Sequence, residues 1–197
     1  VILYYLLKDG NKVIPFVTKM FPTRSQHKIS VMLNEMNQQV SSYIRGQITV
    51  AICVGFTYII GYTLIGLPYG VTIGMIAGLL TIIPYIGSII GLTPALIIGF
   101  VTNPTLALHV LLVFVIEQLI ESRVLQPLIL GSSLKMHPVT ILIILLAAGK
   151  MFGLVGLLIA VPVYAVVKVF ITHFFAWYKE YSGLYYNDKG EEVQIEE

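Results

Sequence analysis

VTIGMIAGLLTIIPYIGSIIGLTPALIIG, residues Val71 to Gly99, contains no Asp, Glu, Lys or Arg. As one helix this stretch would rise about 44 Å at about 1.5 Å per residue. The hydrocarbon core of a bilayer is only about 30 Å thick. Pro84 and Gly87 fall near its middle, and proline removes a backbone donor and clashes with the preceding turn. Length and breakers together predict two half-length helices meeting at a broken tip, Pro84-Tyr85-Ile86-Gly87-Ser88. That is the pattern of a re-entrant hairpin lining a transport site.

The rest of the chain agrees with a membrane setting. It is 57% hydrophobic and 11% charged, with a mean hydropathy of +0.87, whereas soluble domains carry about 25% charged residues. No charge falls between Arg45 and Glu117, a gap long enough for two to three passes. The expected fold class is an all-α integral membrane protein. The net charge of +2 is small, and no basic cluster suggests a nucleic-acid partner. Cys53 is the only cysteine and reads as a packed thiol in an apolar run.

In chain order, residues 1–10 read as the end of a transmembrane helix whose beginning is missing. Residues 11–45 form a polar segment. With Lys8 just before it, it holds half of the basic residues, which places 8–45 in the cytoplasm by the positive-inside rule. Ile29, Met32, Leu33, Met36, Val40, Tyr43 and Ile44 recur there at helical spacing, predicting an amphipathic helix. A transport domain over 46–176 follows. It comprises a helix at 46–67, the hairpin at 71–101, a helix at 105–122 and a second broken segment at 138–172. The break in the second segment is Gly149-Lys150-Met151-Phe152-Gly153. Trp177, Tyr178 and Tyr181 make an aromatic belt at the start of a cytoplasmic tail, 177–197.

A shift of 68 positions puts Val71-Thr72-Ile73 on Val139-Thr140-Ile141 and Pro94 on Pro162. Each unit is one full helix followed by one broken segment. With one true crossing per unit, the second copy faces the opposite way, which is an inverted repeat.

Ionisable groups at membrane depth are costly and mark function. Glu117 and Glu121 are four apart and share a helix face, where like charges repel. Glu117 is placed to approach Lys150 at the second tip, as a pair that opens on binding a proton, cation or substrate, or as a static pair orienting two segments. At the first tip the unwound backbone of Pro84 and Gly87 and the hydroxyls of Thr81, Tyr85 and Ser88 suit a polar solute or a desolvated cation. Gly149, Lys150 and Gly153 are the corresponding candidates at the second. His109 reads as a packed, hydrogen-bonded histidine. Metalloprotease, nucleophile-elbow and phosphate-loop motifs are absent from the sequence, so no enzyme, metal or cofactor is expected.

Ile83–Ser88, Glu117–Val124, Pro127–Gly131, His137–Thr140 and Ala148–Gly156 with Pro162 occur in this order. The chain thereby resembles the autoinducer-2 exporter family, the PerM-type permeases, over nearly its whole length, and reads as the C-terminal portion of such a protein. The resemblance implies a multi-pass exporter in the bacterial cytoplasmic (inner) membrane, a homo-oligomer and specifically a pentamer, exporting an autoinducer-2-like quorum-sensing signal. The hairpin tips and the Glu117 helix are expected to move relative to a static oligomeric scaffold, as elevator-like alternating access open to ion coupling. It also implies structural or gating roles for Arg123, Pro127, Gly131, His137, Pro138 and Pro162. Two alternatives stand beside this: a sodium (lithium)/proton antiporter, which some relatives suggest, and a non-transporting membrane scaffold.

Overall fold

The computed structural model describes residues 14–15, 18–130 and 137–182. The expected helix end at 1–10, Gly131 and the tail beyond Ser182 lie outside the described residues. Among the described residues the fold is built from helices alone: α1 (Thr23–Leu64), α2 (Gly70–Leu80), α3 (Ile86–Thr102), α4 (Pro104–Ile120), a π-helical segment (Glu121–Leu130) and α5 (Pro138–Ser182). Three helical stretches, Ser25–Leu64, Pro104–Leu130 and Val139–Lys179, are long and apolar enough to cross a membrane, while α2 and α3 are shorter.

The amphipathic segment and the first apolar segment are one continuous helix, α1. No proline interrupts it, and each interior glycine costs only about 1 kcal/mol relative to alanine, which close packing can offset. Its end is well defined. Gly66 takes φ +70°, the Leu67 N–H donates to the Tyr62 carbonyl at 2.9 Å, and the Gly66 N–H donates to the Thr63 carbonyl at 3.1 Å. That is a Schellman cap, in which glycine supplies the left-handed turn and two orphan carbonyls are satisfied. Pro68 follows and prevents continuation.

The Val71–Gly99 stretch is divided between two helices separated by Thr81–Tyr85. Pro84 cannot donate to a helical ladder, and Tyr85 sits at φ 60°, ψ −51°. A side chain at Gly87 would overlap the Leu80 carbonyl, and one at Gly91 would press on Ala77. Residues late in α2 therefore face residues early in α3, which is an antiparallel helical hairpin. A second reversal joins α3 to α4. Asn103 accepts the Thr105 N–H at 2.9 Å through Oδ1, Pro104 occupies the first helical position, and Gly99 lies against Ala107 and Val110. Side-chain capping and an N-terminal proline explain why α4 starts there.

Two compact units make up the chain, and residues 41–162 form the larger. Within it α1 packs through small residues. Gly78 lies on Gly55, Gly74 on Ile59 and Gly70 on Tyr62, while Gly61 faces Val113 and Gly46 faces Leu130. Glycine at a helix crossing lets backbones approach closely. Val50, Val54, Tyr58, Tyr62, Ala77, Ala95, Val110 and Val113 fill the core between these helices.

α5 is interrupted at one residue. Gly153 has φ 59°, ψ −139°, a conformation that glycine alone adopts readily. A side chain at Gly156 would overlap the Ala148 carbonyl, and one at Gly149 would meet Leu157, so residues 138–152 and the start of 154–182 also form a hairpin. The break is narrower than the expected Gly149–Gly153, and Pro162 lies inside the helical second arm. The shift of 68 carries Leu80 onto Ala148, whereas Gly87 matches Gly156 at 69. The span from the contacted carbonyl to the glycine seated on it is thus one residue longer in the second hairpin. Ile83 of the first hairpin shares a buried cluster with Leu145 and Ala160 of the second.

The smaller unit combines the described residues up to Val40 with those from Val163 on. In it His173 Nε2 and Glu35 Oε2 lie 2.8 Å apart, joining residues distant in sequence.

Candidate functional site

The two buried acids of the larger unit lie one turn apart, Glu117 near the end of α4 and Glu121 at the start of the π-helical segment. Glu117 is fully buried and Glu121 is 4% exposed. Gln118 lies between them and its amide donates to both, to Glu117 Oε2 at 3.1 Å and to Glu121 Oε2 at 3.3 Å. Gln126 Nε2 donates to the remaining oxygen of Glu121 at 3.0 Å. Glu121 therefore has both oxygens bonded, and Glu117 has one.

α1 supplies the opposite wall. Tyr58 and Tyr62 are four apart, share a helix face and are fully buried, with rings stacked at a centroid distance of 5.2 Å. The Tyr58 hydroxyl faces the Glu117 carboxylate. Yet Tyr58 Oη, Tyr62 Oη and Glu117 Oε1 are all buried without a completed hydrogen bond. Each such group costs about 1–3 kcal/mol. The antiparallel register that sets Gly61 against Val113 brings these two helices together at this level.

The first hairpin tip lies close by. Thr81 is fully buried; its carbonyl accepts the Gln47 amide at 2.8 Å and its hydroxyl donates to the Ala77 carbonyl at 2.9 Å. Pro84 and Gly87 are buried. Tyr85 is within electrostatic reach of Glu121, and Ser88 is 2% exposed with an unpartnered hydroxyl.

The remaining candidates are dispersed. Lys150 is exposed and makes no ion pair with Glu117, whose one hydrogen-bond partner is the Gln118 amide. Reaching the carboxylate would require the ammonium to be buried with it, at several kcal/mol per ion. Arg123 and Pro127 are exposed, Pro127 inside the π-helical segment. His137 is exposed and its Nδ1 accepts the Val139 N–H at 3.3 Å, capping the helix that Pro138 opens. Exposed His109 contacts the Thr105 carbonyl at 2.8 Å through Nδ1. Gly149, Gly153 and Pro162 shape the second hairpin.

Gln47, Tyr58, Tyr62, Gln118 and Gln126 were not among the residues that spacing singled out. The signal available for the tyrosines was their i, i+4 repeat in a charge-free helix, because a buried phenol needs a partner. For the glutamines it was their position beside the two acids.

The model of the AI-2E family transporters matches residues 1–176. YueF of Bacillus subtilis, provisionally named a transport protein, is 38% identical over 169 residues, covering 86% of this chain and 46% of that protein. YrrI of the same organism, named in the same way, is 38% identical over 88% of this chain and 49% of its own length. The provisionally named permease PerM of Escherichia coli is 27% identical over 85% of this chain and 48% of its own. The chain spans about half the length of the curated relatives it matches. No solved structure matches. The family is one of transporters rather than enzymes, and a match that takes in both hairpins and the buried acids makes this chain a member of the AI-2E transporter family.

Proposed function

We propose that this chain forms the transport domain of a membrane exporter for a small polar solute, an autoinducer-2-like signal, with the Glu117 site binding the solute or a coupled ion. The observation that carries this reading is the group of buried oxygens without partners, Tyr58 Oη, Tyr62 Oη and Glu117 Oε1, in an apolar helical core. Three such groups at about 1–3 kcal/mol each are a heavy burden for a merely structural site. They suit a species that arrives, is bound and leaves. No nucleophile–base pair stands there, so binding and release are the chemistry available.

In this reading the two hairpins enter the membrane from opposite sides as an inverted repeat and move against a static oligomeric frame, a pentamer in the bacterial inner membrane. Residues 8–45 and the tail lie in the cytoplasm. Support comes from the matched contacts of Gly87 and Gly156 on carbonyls late in their first arms. It also comes from the exposed apolar row Ile48, Ile52, Phe56 and Ile60 on α1, which suits lipid or neighbouring subunits. A cation/proton antiporter is the second reading, favoured by two buried acids within reach of one amide.

The test is flux in vesicles containing the full-length protein. Glu117→Gln replaces the acceptor and its charge, and flux is expected to fall roughly 5- to 150-fold, the equivalent of about 1–3 kcal/mol, with assembly unchanged. Unchanged flux removes Glu117 from the mechanism. Proton movement driven by sodium or lithium, in place of solute flux, selects the antiporter. If cysteines at Ser88 and Met151 never react with water-soluble reagents, the scaffold is left.

A further inference from the structure

Glu117 and Glu121 are the same residue type, one turn apart, and both are buried, yet their surroundings differ. Glu121 accepts hydrogen bonds on both oxygens, from Gln118 and Gln126, whereas Glu117 keeps Oε1 open. The bond that makes the difference joins Gln126 to Glu121, five residues apart. In an α-helix five residues turn through about 500°, leaving the two side chains about 140° apart around the axis. They could not meet. In Glu121–Leu130 the winding is π-helical, and its i→i+5 ladder aligns residues at that separation. π-helical winding is rare and usually lasts a single turn, and here it begins at Glu121 itself and runs for 10 residues. Pro127 lies within it and has no N–H for a ladder bond.

We propose that the π-helical winding of Glu121–Leu130 divides the labour between the two acids: it sets Gln126 as a positioning residue that holds Glu121, and so leaves Glu117 as the acid open to a ligand. The inference rests on the proposed function only in naming Glu117 as the binding group. An α-helical winding of the same residues would carry Gln126 away from Glu121 and leave two similarly available acids.

Carbodiimide labelling of the full-length protein in membranes, with the modified glutamate identified by mass spectrometry, tests this without knowledge of the substrate. Dicyclohexylcarbodiimide is apolar and adds to protonated carboxyl groups. In the unmodified sequence Glu117 is expected to label several-fold more than Glu121. In Gln126→Leu and in Gln126→Asn, whose shorter amide cannot span the gap, the ratio falls towards one because Glu121 gains label. A merely structural glutamine would change the stability and leave the ratio alone. Equal labelling of the two acids at the outset, an unchanged ratio in the Gln126 variants, or no label on either acid overturns the proposal. Failure of the proposed function reads out separately, as undiminished flux in Glu117→Gln.

Discussion

The two hairpins solve the same packing problem with different turns. The first reverses over Thr81–Tyr85, is largely buried, and is tied to α1 by the Gln47 amide. The second reverses at Gly153, with Lys150, Met151, Phe152 and Leu154 exposed around it. The arms behind each turn are alike, with one glycine seated on a carbonyl late in the opposing arm. The architecture is therefore set by the arms, while the tips are free to differ in rigidity: one is clamped, the other hangs on a single residue.

The largest effect is expected where the hairpins agree. Gly87→Ala and Gly156→Ala each drive a Cβ into backbone rather than a movable side chain, beyond the ordinary overpacking cost of about 1–3 kcal/mol. Both should lose the folded protein in thermal melts of the detergent-solubilised form, and alanine tolerated at one site alone would break the equivalence. The next effect separates the tips. Gly153→Ala forces alanine into φ 59°, ψ −139°, at about 1–3 kcal/mol. Tyr85→Gly relieves a positive φ and gives back a similar amount in unfolded-chain entropy, about 0.5–1 kcal/mol. It should melt close to the parent protein. The smallest is local. Gln47→Leu leaves the buried Thr81 carbonyl without its donor, costing roughly 1–2 kcal/mol. Hydrogen exchange should quicken at Thr81–Tyr85 and stay unchanged at Gly149–Gly153; acceleration at both would mean that the tips are not independently held.

The hairpin at Val71–Gly99 was legible in the sequence because two local signals coincide there, an apolar run of awkward length and a proline at its middle. The second break was legible only to within a few residues. Gly149 and Gly153 look alike in sequence, and what separates them is the backbone: Gly149 remains helical beside Leu157, while Gly153 turns. The continuity of α1 was obscured by a change of composition at Arg45, which marks a change of surroundings and not a helix end. The acids were found from their rarity at depth, but their partners were not. Lys150 was the natural counter-charge by distance along the chain, whereas amides and phenols stand there because they neutralise less and cost less to bury. The π-helical register left no mark that periodicity could detect, since one extra residue per turn over so short a segment resembles an ordinary irregularity.

The glycine contacts between α1 and α2 bear on how freely one helix can shift against the other. Gly55 on Gly78, Ile59 on Gly74 and Tyr62 on Gly70 place backbone against backbone at successive turns, like teeth in a rack. Sliding one helix by less than a full turn would bring a side chain where only a hydrogen fits. α2 is thereby keyed to α1, and a displacement of α2 along its axis would take α1 with it, with slippage confined to faces that bear no such teeth.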